Sequence, residues 1–165
     1  MRAFVKVVAL VLLPLAGLTA CEKKSDAAPT AATYDTSPDS NKRFLADYAK
    51  RPGVTKLPDG LMYRVLKAGN GPGVLRGNDV VTVYYKGSLI NGKVFDRTKD
   101  DPAQFPAGGL IPGWVEALAK MKTGDTWELV IPSDLGYGAD GAGDAIPPDQ
   151  TLVFTMSLVK VEYAN

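Results

Sequence analysis

Between Leu57 and Val161 one stretch alone carries helical spacing: Leu110-Ile111-Pro112-Gly113-Trp114, continued from Val115 to Met121 and bracketed by period-two runs. A sheet-rich chain with a single short helix has few ways to bury that helix, and the simplest wraps the sheet around it. Pro112 fits the first helical turn, where its missing N–H has no partner to lose, and Gly124 fits the left-handed position past the end. Trp114, Leu118 and Met121 recur on one face, widened by Val115 and Ala119, while Glu116 and Lys120 pair opposite charges four residues apart. The fold class expected is α+β, a twisted antiparallel β-sheet wrapped around one short central helix. Trp114, at the helix's N-terminal end, is placed as a floor for something bound.

The flanking runs supply the sheet. Leu61–Leu66 reads as a first strand between Pro58-Asp59-Gly60 and Gly69-Asn70-Gly71-Pro72-Gly73, and Val80–Ser88 as a second. In the second, Val81, Val83 and Tyr85 share one face and Thr82, Tyr84 and Lys86 the other, which assigns Tyr85 to the core side. Asn91-Gly92 is the preferred type I′ hairpin pair, so Leu89-Ile90 should fold back on Lys93-Val94-Phe95 and bring Phe95 and Asp96 beside Tyr85's strand. A polar loop, Arg97 to Asp101, leads to an extended piece at Gln104-Phe105. Beyond the helix, Thr126–Ile131 turns Trp127, Leu129 and Ile131 to one side. Thr151–Val161 could cross a whole sheet, with Leu152, Phe154, Met156 and Leu158 facing in, and no second domain is expected after it. The glycine-rich Ser133–Asp149 segment is aperiodic, and long loops of this kind inside a compact domain are usually functional or disordered.

Composition removes whole classes of chemistry. With 165 residues and a net charge of +1 with no basic run, the chain lacks the concentrated Lys/Arg face that nucleic acid requires. It contains no histidine and one cysteine, which eliminates Ser-His-Asp and Cys-His nucleophilic machinery, histidine bases, most zinc sites and any intrachain disulfide.

The amino-terminal part reads as address and tether. A positive head at Met1-Arg2 to Lys6 and an apolar run from Val7 to Leu18 form an export signal, too short to span a bilayer comfortably as a mature helix. It ends in Leu18-Thr19-Ala20-Cys21, which resembles the lipobox of bacterial lipoproteins, in which the cysteine is lipidated and becomes the first mature residue. Glu22 stands where an aspartate would mark inner-membrane retention, so the expectation is an outer-membrane anchor with the domain in the periplasm. The chain thus divides into a signal at 1–20, a lipidated and flexible tether at 21–39, a short helix and connection at 40–56, and a domain at 57–162. Ser40 or Asp39 is expected to cap that helix, with Phe44, Leu45, Tyr48 and Ala49 on one stripe packing on its own domain and Arg51-Pro52-Gly53 stopping it.

Val83-Tyr84-Tyr85-Lys86-Gly87, Gly92-Lys93-Val94-Phe95-Asp96, Ile111-Pro112-Gly113-Trp114, Tyr137-Gly138, and Ile146-Pro147-Pro148 with Thr151-Leu152-Val153-Phe154 occur in a fixed order and spacing. Together they resemble the FKBP-type peptidyl-prolyl cis-trans isomerases, and Pro52-Gly53 to Leu61 resembles the bacterial branch that includes the macrophage infectivity potentiator. The resemblance implies a proline pocket lined by Tyr85, Phe95, Ile111, Trp114 and Phe154, with Leu110 and Phe105 at its rim. Asp96, Tyr137 and the backbone N–H of Ile146 would be its polar contacts. On the residues alone, Phe95, Phe154 and Ile111 would also be worth burying in any small β-rich core and Tyr137 could pack a loop; Asp96 tips the balance, because a carboxylate among aromatics is costly unless something uses it.

The implied reaction is isomerisation of Xaa-Pro bonds in exported polypeptides. It suits a chain without histidine, since amide rotation requires no nucleophile, metal or cofactor. Macrolides such as rapamycin are further ligands the resemblance implies. Two departures bear on them: Ala103 stands where many relatives have an aromatic, and Ala142-Gly143-Asp144-Ala145 replaces a bulkier lid, which should grip less. The long helix by which the infectivity-potentiator branch dimerises is absent, which favours a monomer. The competing reading is a membrane-anchored chaperone or peptide-binding module that uses the same cleft with little catalysis; a purely structural lipoprotein would make Asp96, Tyr137 and the lid coincidences.

Overall fold

The structure, a computed structural model, describes residues 34–165. The export signal, Cys21 and the tether as far as residue 33 lie outside the described residues. Helix α1 (Pro38–Tyr48) is followed by strands β1 (Val54–Lys56) and β2 (Met62–Lys67). Strands β3 (Val80–Leu89), β4 (Val94–Arg97) and β5 (Ala103–Pro106) lead through one 3-10 turn at Ala107–Gly109 into helix α2 (Pro112–Leu118). Strands β6 (Thr126–Ile131) and β7 (Leu152–Glu162) complete one antiparallel sheet, ordered β1-β2-β6-β7-β3-β4 with β5 also on β3.

One face of this sheet closes on α2, so the α+β architecture is the expected one. Trp114, Ala117, Leu118 and Met121 are buried there against Val81, Val83, Leu129, Ile131, Met156 and Leu158. The helix ends at Leu118, earlier than its apolar spacing suggests. Met121 N–H still bonds back to Ala117 O at 3.0 Å, but Gly124 (φ +95°) belongs to a separate turn in which Asp125 accepts the Lys122 N–H. A glycine is required inside α2 for a different reason: a Cβ on Gly113 would lie 2.6 Å from Ile131 Cγ2, so the helix rests directly on β6.

The other face carries a second, smaller core. Phe44 and Tyr48 of α1 pack with Tyr34 over Met62, Ile90 and Val130. Val130 is therefore buried although Leu129 and Ile131 face the opposite core, and β6 is covered on both sides. The Tyr48 hydroxyl donates to Glu128 at 2.8 Å and Arg64 pairs with the same carboxylate at 3.1 Å, pinning α1 to β2 and β6. The helix begins earlier than Ser40 or Asp39 would place it. Ser37 is the cap, accepting the Ser40 N–H at 3.3 Å, because Pro38 is pre-set for the first helical position. Tyr34, within the segment assigned to the tether, is buried edge-on against Phe44 and donates to Asp47 at 3.0 Å.

The β3–β4 hairpin also departs from expectation. Among the described residues the sole non-glycine with positive φ is Asp149, so Asn91 does not adopt the type I′ conformation. Leu89 N–H donates to Lys93 O and Gly92 N–H to Leu89 O, both at 2.9 Å, with Gly92 left-handed (φ +84°). The loop is thus one residue longer than the two-residue turn, and the added residue, Ile90, turns in under α1.

Candidate active site

Strand β3 is paired along one edge by β7, and β4 and β5 share the other edge: β5 takes Val80–Val83 and β4 takes Lys86–Ser88. Tyr85 lies in the gap. There Thr98 bonds both sides of its backbone, accepting the Tyr85 N–H through Oγ1 and donating its own N–H to Tyr85 O, each at 3.0 Å. The gap lets β4 and β5 diverge, and a cavity of about 150 Å³ opens between them over the start of α2.

Trp114, 4% exposed, forms the floor. Tyr85 and Phe154 stand edge-on to it at centroid separations of 5.1 and 5.2 Å, and Phe105 at 6.1 Å. Phe95 meets Phe154 edge-on at 5.5 Å and continues the wall. This herringbone is the packing favoured by aromatic quadrupoles. The Trp114 indole N–H is buried and bonds to no described residue, so packing alone holds the ring. Leu110 and Ile111 line the side where the chain enters α2, and Tyr137 lines the opposite side from the loop after β6. Gly87 makes the close approach of two walls possible, since a Cβ there would meet both Phe95 and Phe154 at 2.6 Å. Its signal was present in the sequence as a glycine inside a strand pattern.

Two polar groups stand in the aromatic wall. The Tyr85 hydroxyl donates to Asp96 Oδ2 at 2.6 Å, and Asp96 Oδ1 accepts the Arg97 N–H at 2.8 Å. Burial, together with the hydrogen bond and charge of Asp96, pushes the Tyr85 phenol up to about 12. At neutral pH the phenol is a fixed donor that holds the carboxylate against the pocket wall. The Tyr137 hydroxyl has no hydrogen-bond partner among the described residues and remains available to a ligand.

The structure thus brings together Tyr85, Phe95, Asp96, Phe105, Leu110, Ile111, Trp114, Tyr137 and Phe154, but not Ile146. Ile146 is buried in the main core, and its N–H donates to Ala142 O at 3.2 Å within the loop's own bridge. It is therefore not a free donor. The Ile111 N–H has no partner among the described residues and belongs to a residue that does line the cavity. No periodic pattern distinguishes these two amides, because the difference lies in non-repetitive hydrogen bonding on either side of the pocket.

A half-open aromatic cleft of about 150 Å³, with a carboxylate and the Tyr137 hydroxyl in its lining, sits over one helix enclosed by the sheet. The family described as FKBP-type peptidyl-prolyl cis-trans isomerase matches residues 72–159, and the domain amino terminal to FKBP-type peptidyl-prolyl isomerase matches residues 16–65. The chain belongs to the FKBP-type peptidyl-prolyl cis-trans isomerase family, of the kind that includes Mip. It is 46% identical over 121 residues to an FKBP-type 22 kDa peptidyl-prolyl cis-trans isomerase of Escherichia coli, a match covering 72% of this chain and 58% of that one. It is 44% identical to the peptidyl-prolyl cis-trans isomerase Mip of Coxiella burnetii over 75% of this chain and 54% of that one. Outer membrane protein MIP of Legionella longbeachae is 41% identical, with 83% and 61% covered. The chain therefore spans between about half and three fifths of the length of these relatives. A crystal structure of a peptidyl-prolyl cis-trans isomerase from Pseudomonas syringae superposes with a TM-score of 0.71 at 42% identity, covering 76% of this chain and 92% of that one.

Proposed function

We propose that the protein catalyses cis–trans isomerisation of Xaa-Pro bonds in exported polypeptides. The observation that carries this reading is the Trp114-floored aromatic cavity of about 150 Å³ with the Tyr85–Asp96 pair in its wall and Tyr137 at its edge. Rotation about an Xaa-Pro bond is slow because amide resonance imposes a barrier of roughly 18–20 kcal/mol. The planar amide is the more charge-separated state, so transfer from water into an aromatic pocket disfavours it relative to the twisted transition state. The Tyr137 hydroxyl and the Ile111 N–H are donors that can hold the substrate carbonyls in the twisted arrangement, and the Asp96 carboxylate is complementary to positive potential developing across the rotating bond. Each ~1.4 kcal/mol of preference for that state over the ground state gives about tenfold in rate.

The cellular setting proposed is the cell envelope, with the chain held by acyl groups on Cys21 at the outer membrane, its domain in the periplasm, as a monomer. The lipobox-like run before Cys21 supports it, as does the likeness to outer membrane protein MIP of Legionella longbeachae. Rapamycin-like macrolides would enter the same pocket, weakly gripped. A second reading, peptide binding with little catalysis, is favoured by the small side chains at the loop tip, Ala142-Gly143-Asp144-Ala145.

The deciding experiment is catalysed exchange of a short Xaa-Pro-Phe peptide series by the full chain and by its Tyr137→Phe and Asp96→Leu variants. Loss of one neutral hydrogen bond, worth ~0.5–1.5 kcal/mol, predicts a fall of about two- to twelvefold for Tyr137→Phe. Asp96→Leu, which removes a charged partner, should cost about ten- to a hundredfold. A folded wild-type chain that leaves the exchange rate unchanged while still binding the peptides would replace the enzyme with the binding module.

A further inference from the structure

The loop Ser133–Asp149 carries Tyr137 to the cavity, yet it adds only one fully buried apolar side chain, Ile146, to the core. Its shape rests on hydrogen bonds. Gly138 N–H donates to Ser133 O and Asp149 N–H to Gly138 O, both at 2.9 Å, so the outgoing stem at Asp149 braces the peptide adjoining Tyr137. Asp149 itself is left-handed, with φ +59°. A non-glycine residue persists in that region where its surroundings over-determine it.

What over-determines it is α1 and the turn before it. Gln150, 6% exposed, donates through Nε2 to Pro148 O at 2.9 Å and to Thr36 O at 3.1 Å, and its Oε1 accepts from Asn41 Nδ2 at 3.4 Å. Asn41, 5% exposed, accepts the Thr151 N–H through Oδ1 at 2.8 Å and donates to Ser37 O at 3.0 Å. Two buried amide side chains, more than a hundred residues apart in the chain, thereby fasten the Pro148–Asp149 and Gln150–Thr151 peptides to the amino-terminal extension.

Resting on the reading of the pocket as a prolyl-isomerase site, we propose that Asn41 and Gln150 are positioning residues of that site: the amino-terminal helix locks the stem of the Tyr137 loop and so fixes where the Tyr137 hydroxyl stands. Both side chains are uncharged amides, so their contribution does not vary between about pH 4 and pH 10. Removing either leaves every group that lines the cavity in place but frees the stem.

The test uses the full chain with Asn41→Ala and Gln150→Ala, each alone and combined with Tyr137→Phe. Isomerisation kcat/KM and amide hydrogen exchange at Asp149 are measured. Each single variant is expected to lower kcat/KM by about three- to tenfold, the range of one or two lost hydrogen bonds, and to speed exchange at Asp149 while β6 and β7 keep wild-type protection. In the Tyr137→Phe background the same substitutions should cost less than about twofold, because a residue that acts through Tyr137 has nothing left to position. Equal losses in both backgrounds, or unchanged exchange at Asp149, overturn the proposal. Should Asn41→Ala loosen β6 and β7 as well, Gln150→Ala decides, since it leaves the Asn41–Thr151 bond intact. A wild-type chain without isomerase activity overturns the reading of the pocket instead, and the exchange data still decide whether α1 locks the loop.

Discussion

Tyr85 combines in one side chain the roles of wall, donor and latch. Strand alternation was enough to separate it from Tyr84, since only one of two adjacent tyrosines can face the core, and Tyr84 is indeed exposed on the far side. Its partner was also legible, because the hairpin returns Asp96 beside it. Its titration gives a checkable consequence. The folded phenol holds its proton more tightly than the unfolded one, about 12 against 10.0, so the stabilisation it brings is complete below pH 10 and is lost as pH rises towards 12. Urea-unfolding stability should fall more steeply between pH 10 and pH 12 in the wild type than in Tyr85→Phe. Parallel profiles would mean that the phenol is not proton-linked to folding. Ile146 illustrates the opposite case: the family resemblance implied that its amide contacts substrate, whereas in the structure that amide bonds Ala142 O across the loop.

Among the elements, α2 is sensitive to small changes because it lies on β6 without a spacer. Gly113→Ala would raise intrinsic helix propensity by up to ~1 kcal/mol, yet the new methyl meets Ile131 Cγ2 at 2.6 Å. Overpacking of that kind costs ~1–3 kcal/mol, so the variant should be destabilised overall in chemical unfolding, and an unchanged midpoint would show that α2 can lift off the strand freely. The helix, β3, β6 and β7 could all be read from spacing, because each buries a regular face. The strand β1 could not: three residues paired to β2 at the sheet's edge leave no period to detect. The turn at Asn91-Gly92 misled because a dipeptide preference reports the turn alone, whereas Ile90 gains burial beneath α1 by lengthening it.

At the scale of the molecule, the amino-terminal helix is a second core rather than an appendage. Amphipathic spacing found Phe44 and Tyr48 of its buried stripe, while Ala49 is exposed and Ser40 and Asn41 are buried instead; which sheet face it covers, and that Tyr34 joins it, depend on residues Met62, Ile90 and Val130 that are distant in sequence. Phe44→Ala should therefore destabilise the full chain by ~3–5 kcal/mol, with α1 and the sheet unfolding in one transition by circular dichroism and tryptophan fluorescence. Two separate transitions would show that the helix is only loosely applied.

The divided edge of β3 has a consequence for how this architecture can vary. Strands β4 and β5 are each registered to β3 independently, and the chain from Lys99 to Pro102 that joins them crosses an interruption rather than a ladder. That crossing works as an expansion joint: residues added or lost there reshape one bank of the cleft without moving any strand by a step, so the shape of the opening can drift while the frame around it stays in alignment.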